Sequence, residues 1–543
     1  MKNLKKYYLY KPVIFFSLMI LKVIVAVLFQ TIPLLIYYIV NLITESGDFK
    51  LFIYVGIAAL CLILVSISMN LFEEYNSHKY IDTITELYRK DVFQGILNLD
   101  LTEINNKQVG EYLSILNKDV TSISDKHFTA VFDSVSTISA IVMGFVVSCI
   151  LNWIITLFIF FMSAMVVLVP MLLSKKIYTR FNEYSLAVSE LSKYFENFLN
   201  GSLIVLNCNA IHKIANIVNE VDKDLLKKEN KYWKVISFDN NIVQILILLL
   251  QFFTVFFACL LVHYGLAKVA ICVAFLQIGT TIYSPLTQLI SSYSYIKSVK
   301  GVVNRLSEFT KLTDKKVNKC DIKDPSISVS GLTISYNDRK ILDNVSYTFD
   351  FGKKYMLTGK SGIGKSTLLN SIFGYINKES GEIDFFNENE RVENTNDNSN
   401  SLIGYVHQKP YLFIGSLVEN ITMFSKEPDM EKVNKIIKQC RLDDFASQRG
   451  LNSPLDNSNN SISLGEMQRI SLARILYLDK PILFLDEVTS SLDENNAHAI
   501  NGAIKELDNK LVIWISHDKD TQNLSWLDQK LIIQDSKLIE TQI

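Results

Sequence analysis

The sequence predicts an all-α membrane domain of six spanning helices followed by an α/β domain built around a phosphate-binding loop. Three features carry that prediction. Six long apolar stretches are confined to about the first 290 of the 543 residues. From about Ile327 the chain changes to short strand-like runs, turn residues and charges. Within that second part, Gly359-Lys360-Ser361-Gly362-Ile363-Gly364-Lys365-Ser366 fits the pattern G-x-x-x-x-G-K-[ST]. The division read from these features is a membrane domain over 1–310, a linker over 311–326 and a nucleotide-binding domain over 327–543.

The apolar stretches run from about Val13 to Ile43, Leu51 to Leu71, Val135 to Leu151, Trp153 to Leu173, Ile242 to Val262 and Val269 to Ile290. Each approaches or exceeds the roughly 20 residues that cross a hydrocarbon core. The N-terminal lysines, Lys79, Arg89, Lys90, Lys175, Lys176, Arg180, Lys297, Lys300 and Arg305 all fall on one side of these spans, which makes that side cytoplasmic. The opposite connections are short: Thr44 to Lys50, a tight turn near Asn152, and His263 to Lys268. Two cytoplasmic connections, Glu73 to Ser134 and Ser174 to Asn241, mix charges with helical apolar periodicity, so the spanning helices are expected to continue into the cytoplasm. The first apolar run is too long for a cleaved leader and is expected to stay in place. Lys22 lies within the first span, where an ionisable group by default suggests function; snorkelling toward the cytoplasmic interface is the favoured reading. Gln251, Gln277 and Thr280 are open to two readings, a polar cavity lining or bonds between helices.

Composition limits the partners. With 54 Lys+Arg against 55 Asp+Glu and a net charge of −1, the chain offers no general attraction to nucleic acid. Seven cysteines without a C-x-x-C pair read as reduced, mostly buried thiols.

In the second half the phosphate loop follows a strand candidate, Tyr355 to Thr358, and precedes a helical stretch, Thr367 to Phe373. The glycines let backbone N–H groups wrap phosphates, Lys365 reaches the β/γ-phosphates, and Ser366 supplies a ligand to Mg²⁺. Ile482-Leu483-Phe484-Leu485-Asp486-Glu487 reads as a buried strand ending in two acids. Asp486 is suited to hold Mg²⁺ and Glu487 to orient or deprotonate water. Another strand candidate, Leu511 to Ile515, ends at Ser516-His517, where a histidine can reach a γ-phosphate.

The order of these motifs resembles that of half-transporters of the ATP-binding cassette (ABC) exporter family, over nearly the whole chain. The resemblance implies a type I exporter membrane fold and an ATPase coupled to transport, with ATP and Mg²⁺ as its ligands. It further implies that Tyr336 stacks on adenine and that Gln408, in Val406-His407-Gln408-Lys409-Pro410, senses Mg²⁺ and water. Gly359, Ser361, Gly362, Gly364 and Thr367 belong with Lys365 and Ser366 to the phosphate cradle. Tyr411 to Ile421 is similar to the exporter branch, Ser490-Ser491-Leu492-Asp493 resembles the D-loop, and His517 the switch histidine. Gly110-Glu111-Tyr112-Leu113 and Pro285-Leu286-Thr287-Gln288-Leu289 match membrane-half motifs. Coupling helices are expected around Leu101 to Val109 and near Gly201 to His212.

One motif departs from the family. Aligning Gln468 to Arg474 places the signature LSGGQ on Ile462-Ser463-Leu464-Gly465-Glu466. Ser463 and Gly465 survive, while a glycine becomes Leu464 and the glutamine becomes Glu466. The acidic, glycine-rich segment before it is replaced by Asp456-Asn457-Ser458-Asn459-Asn460. The signature completes the ATP site of the opposite subunit, so hydrolysis there is expected to be slowed. Assembly as a homodimer or as a heterodimer with a second half-transporter both fit. The expected function is ATP-driven export from the cytoplasm across the plasma membrane, with a peptide of bacteriocin or pheromone type as substrate. With no peptidase domain before the first span, such a peptide would be matured elsewhere. Multidrug or lipid export is the alternative, and an ATP-binding regulatory protein with weak turnover is the less favoured one.

Overall fold

The computed structural model describes residues 4–47, 49–99, 103–104, 109–312, 322, 324–336, 339–387, 390–393, 395–455, 462–489, 494–516 and 526–541. The chain divides into two compact units, 1–95 with 110–313 and 96–109 with 314–543.

The first unit is helical. Its long helices are α1 (Pro12–Asn41), α2 (Phe49–Leu97), α3 (Val109–Leu151), α4 (Trp153–Asn200), α5 (Ile211–His263) and α6 (Ala270–Ser298). Among the described residues, α1, α2, α3, α5 and α6 are long and apolar enough to cross a membrane, and α4 begins with a shorter apolar stretch, Trp153–Met165. At 1.5 Å per residue, 53 residues in α5 extend roughly 80 Å, well beyond a hydrocarbon core. The short helix Ser202–Asn207 joins α4 to α5 inside the segment expected to carry the second coupling helix. The first expected coupling segment, Leu101 to Val109, lies mostly outside the described residues.

Packing follows from side-chain size. α1, α3 and α6 pack together, and α4 pairs with α5. The core between α3, α4, α5 and α6 is built from Val147, Ile155, Ile159, Leu250, Phe275, Ile278 and Ile282. A Cβ at Gly144 would lie 2.8 Å from Cγ1 of Ile282, so only glycine lets α3 approach α6 this closely. Asn152 supplies the expected tight turn: its backbone is extended and its side-chain oxygen accepts from the N–H groups of Ile154 and Ile155, capping α4. Helix α3 contains two π-helical turns, Ile115–Asp119 and Ser124–Phe128. Asp119 forms an ion pair with Arg305 of the helix Lys300–Phe309.

Lys22 does not snorkel. It is buried on α1, and its Nζ lies 2.8 Å from Oε1 of Glu73 on α2, itself buried; the Ser77 hydroxyl donates to the same oxygen at 2.5 Å. A paired ammonium needs no route to water, which is why the snorkelling expectation fails. The thiols also differ from expectation: Cys440 is buried, but Cys61, Cys149, Cys208 and Cys259 are exposed. Cys61, Cys149 and Cys259 sit on apolar spanning helices, where protein burial is not needed to keep a thiol from water.

The second unit is α/β. A four-stranded antiparallel sheet has the order β2-β1-β4-β5, with β1 Pro325–Tyr336, β2 Arg339–Phe349, β4 Ser380–Asn387 and β5 Glu390–Glu393. A six-stranded sheet runs β12-β11-β3-β10-β9-β6, formed by β3 Lys354–Thr358, β6 Ile403–Val406, β9 Ile482–Asp486, β10 Leu511–Ile515, β11 Gln529–Gln534 and β12 Lys537–Thr541. A short pair, β7 Gly415–Ser416 and β8 Pro454–Leu455, completes the strands. All neighbours in the six-stranded sheet are parallel except β11 and β12. Strands β9 and β10 are buried along their whole length, as their unbroken apolar runs demand. One core joins the two sheets through α7 (Lys365–Phe373), with Leu368, Leu369 and Ile372 packed on Phe385 and Phe484. A second core, around Leu472, Leu485 and Trp514, covers the opposite face.

Candidate functional site

The carboxyl ends of parallel strands gather the expected chemistry, where an open α/β sheet usually places its ligand. Cross-strand register pairs Asp486 with Ile515, and Ile515 with Leu357, so the ends of β9, β10 and β3 lie side by side. The phosphate loop follows β3 directly and feeds α7. Gly359 and Gly364 have φ of 144° and 114°, a region side chains resist. A Cβ on Gly364 would come within 2.7 Å of Cγ2 of Ile341, so conformation and space both require glycine.

Lys365 is buried at the start of α7, and its Nζ donates to the carbonyls of Gly359 (2.9 Å) and Lys360 (3.2 Å). Burial holds its pKa below the usual lysine value, and the acids Glu487 and Asp486 partly offset this. The ammonium therefore curls over its own loop and would exchange carbonyls for phosphate oxygens. Burial likewise raises Asp486 above the usual carboxylate range, with the charge of Glu487 adding; the Ser366 hydroxyl and Lys365 pull the other way. One oxygen of Asp486, Oδ1, is buried without a hydrogen-bond partner. An orphaned buried oxygen beside a hydroxyl is the donor set a hard divalent cation takes. The donor chemistry fits Mg²⁺, which Ser366 and Asp486 would hold.

Glu487 adopts a left-handed backbone, φ 52°, with its N–H bonded to the carbonyl of Ile515 at 3.0 Å. Such a conformation costs about 1–2 kcal/mol in a residue with a Cβ. Nε2 of Gln408, just past β6, donates to Oε2 of Glu487 at 2.6 Å. The two side chains expected to handle water are thus in direct contact. Tyr336 ends β1; Ser361, Gly362 and Thr367 lie in the loop and first turn of α7 as expected. His517, Asp493 and the rest of the expected D-loop, and Asp456 to Asn460, lie outside the described residues.

The altered signature forms the start of α9 (Leu464–Leu478). Ser463 is its N-cap, and Glu466 closes a capping box. The Glu466 N–H donates to Oγ of Ser463 at 3.2 Å; Oε2 of Glu466 accepts from the Ser463 N–H at 2.7 Å and from its hydroxyl at 2.9 Å. Leu464 is about half exposed beside it. The same S-x-x-E box recurs at Ser416 and Glu419, which start α8 (Leu417–Thr422). Both boxes stand in the sequence as a serine followed three residues later by a glutamate, a signal that alignment to the signature obscures. Arg474 and Asn420 act together in a way that no local pattern signals. Arg474 donates to the carbonyls of Asn420 and Tyr411, and Asn420 bonds Phe413 through both its N–H and its carbonyl. They hold the Tyr411 to Ile421 segment in place.

Two family models match the chain: ABC transporter transmembrane region over residues 15–286, and ABC transporter over residues 342–490. The chain belongs to the ABC transporters. It is a multi-pass membrane half-transporter with a fused ATP-binding domain, an ATPase coupled to transport. Among its relatives, the multidrug resistance-like ATP-binding protein MdlB of Buchnera aphidicola is 23% identical, over 94% of this chain and 88% of that protein. An ATP-dependent lipid A-core flippase of Mannheimia succiniciproducens is 24% identical, over 83% and 78%. A solved bacterial Atm1-family ABC exporter with ATP bound superposes with a TM-score of 0.80 at 18% identity, covering 96% of this ABC transporter and 93% of that chain, which places the fold.

Proposed function

We propose that two copies of this chain form an ATP-driven exporter that carries a peptide from the cytoplasm outward. At each ATP site Tyr336 stacks on adenine, the loop from Gly359 to Thr367 wraps the phosphates, and Lys365 neutralises their charge. Mg²⁺ would supply charge neutralisation at the β/γ-phosphates, held by Ser366, Asp486 and Gln408. Glu487 accepts a proton from the attacking water, Gln408 fixes its carboxylate, and His517 stabilises the γ-phosphate. Ser463, Gly465 and Asp493 complete the site of the opposite copy. ATP drives the cycle by binding the closed arrangement better than the open one. The homodimer reading is supported by the presence of Lys365, Ser366, Asp486, Glu487 and Gln408 in one chain.

The peptide reading rests on one observation: α1 and α2 bury a charged pair, Lys22 and Glu73, in the helical unit. An ionisable pair inside a spanning unit suits a substrate with polar groups along its whole length, as a peptide backbone has, more than one with a single charged end. A multidrug or lipid exporter is the second reading, supported by the names of the two relatives above. The test is ATP turnover in proteoliposomes titrated with short cationic and anionic peptides, a hydrophobic dye cation and a fluorescent phospholipid. Stimulation by peptides, with ATP-dependent accumulation, is expected. Stimulation by dye or lipid alone would replace the peptide reading with the second.

A further inference from the structure

The helical unit carries a groove between α1 and α2 that the transport cycle above does not use. Its wider part encloses about 600 Å³ and is lined at one end by Lys11, Ser17, Asn76, Lys79 and Thr83. None of its lining residues is acidic. Glu73, on the same stretch of α2, is committed to Lys22 instead. Lys11 and Lys79 are both exposed, and among the described residues neither is in an ion pair; Nζ of Lys11 lies 5.6 Å from the centre of the Tyr10 ring. Both belong to the cytoplasmic set of basic residues.

Toward the membrane interior the groove turns apolar. A second cavity of about 460 Å³ shares Leu21 and Phe72 with the first and continues past Leu64, Val65 and Met69. Phe72, Leu64 and Val65 are each more than half exposed. The result is two ammonium groups in no ion pair among the described residues, opening into an apolar slot along the same helices; the Ser17, Asn76 and Thr83 side chains beside them already donate to the carbonyls of Ile14, Phe72 and Lys79. Basic pockets between spanning helices on the cytoplasmic side are suited to anionic headgroups, with roughly 1 kcal/mol per nearby lysine.

We infer that this groove binds an anionic phospholipid of the cytoplasmic leaflet, its phosphate between Lys11 and Lys79 and one acyl chain along Leu21, Phe72 and Met69. The inference is independent of which substrate is exported. A zwitterionic lipid brings a cation of its own to the same two lysines, and a free phosphate has nothing to place in the slot.

The test uses the full-length protein, solubilised and exchanged into mixed micelles with equal phosphatidylglycerol and phosphatidylcholine, followed by native mass spectrometry. The wild type is expected to retain phosphatidylglycerol over phosphatidylcholine by roughly thirtyfold. K11Q/K79Q should erase that preference, and S68F/M69F, which fills the slot, should reduce retention of both lipids. ATP turnover and a monodisperse elution profile, unchanged in K11Q/K79Q, establish that this variant is folded. Equal retention of the two lipids by the wild type would overturn the inference, as would an undiminished preference in K11Q/K79Q. Competition by millimolar inorganic phosphate without effect on the slot-filled variant would assign the lysines to free anion and overturn it too.

Discussion

Two carboxylates of the ATP-binding domain sit in unusual settings: Glu466 in the capping box of α9 and Asp486 buried at the end of β9. Glu466 occupies the place of a neutral glutamine and grips both the N–H and the hydroxyl of Ser463. That arrangement stabilises the start of α9, as a negative charge at a helix N-terminus does, and it sets the same charge against any phosphate approaching it. E466Q keeps a side chain able to cap but removes the charge. ATP turnover is expected to rise by roughly fivefold, the factor matching about 1 kcal/mol of relieved repulsion. Steady-state phosphate release measures it; unchanged turnover would leave Glu466 as a helix cap and nothing more. Asp486 offers a pH test. Burial raises its pKa, so the folded domain holds this proton to higher pH than the unfolded chain does. Its contribution to stability is present at low pH and lost as pH rises through the raised value. A divalent cation removes that loss. Mg²⁺ with ATP is therefore expected to raise the melting temperature by more as pH rises from the acid limit of folding to pH 8, and D486N should flatten that trend.

At the scale of elements, the helix pairings in the membrane unit depend on a few exceptions to its apolar rule. The Lys22–Glu73 pair joins α1 to α2 from buried positions. K22M leaves the Glu73 carboxylate buried and uncompensated, which is expected to cost about 3–5 kcal/mol, while K22M/E73Q recovers most of it. Thermal unfolding in detergent measures both, and equal losses in the single and double variants would show that the pair is not coupled. Gly144 acts by size alone. G144A would press a methyl against Ile282, and the strain is expected to cost about 1–3 kcal/mol in the same assay.

Across the whole molecule, what the sequence disclosed follows the range of the interaction. The buried strands Ile482–Asp486 and Leu511–Ile515 and the loop into Lys365–Phe373 were legible because unbroken apolar runs and glycine spacing are local signals. The membrane stretches were legible by length and hydropathy. The Lys22 partner was not, because 51 positions separate it from Glu73 and nothing in the sequence encodes which helices meet. The contact of Gln408 with Glu487 was hidden for the same reason: each was read as acting on water or metal, and only the fold brings one against the other. The capping box at Ser463 was local and legible, but reading Glu466 as a lost glutamine hid what a glutamate does at that place.

Under the proposed homodimer, this one chain paired with itself hydrolyses ATP despite Leu464 and Glu466. ATP turnover by the chain purified alone in lipid nanodiscs, with E487Q as the matched variant, tests it most directly. Measurable turnover is expected in the wild type and a loss of about a hundredfold or more in E487Q, with ATP binding retained in both. Absence of turnover in the wild type with ATP still bound, or turnover unaffected by E487Q, would contradict it.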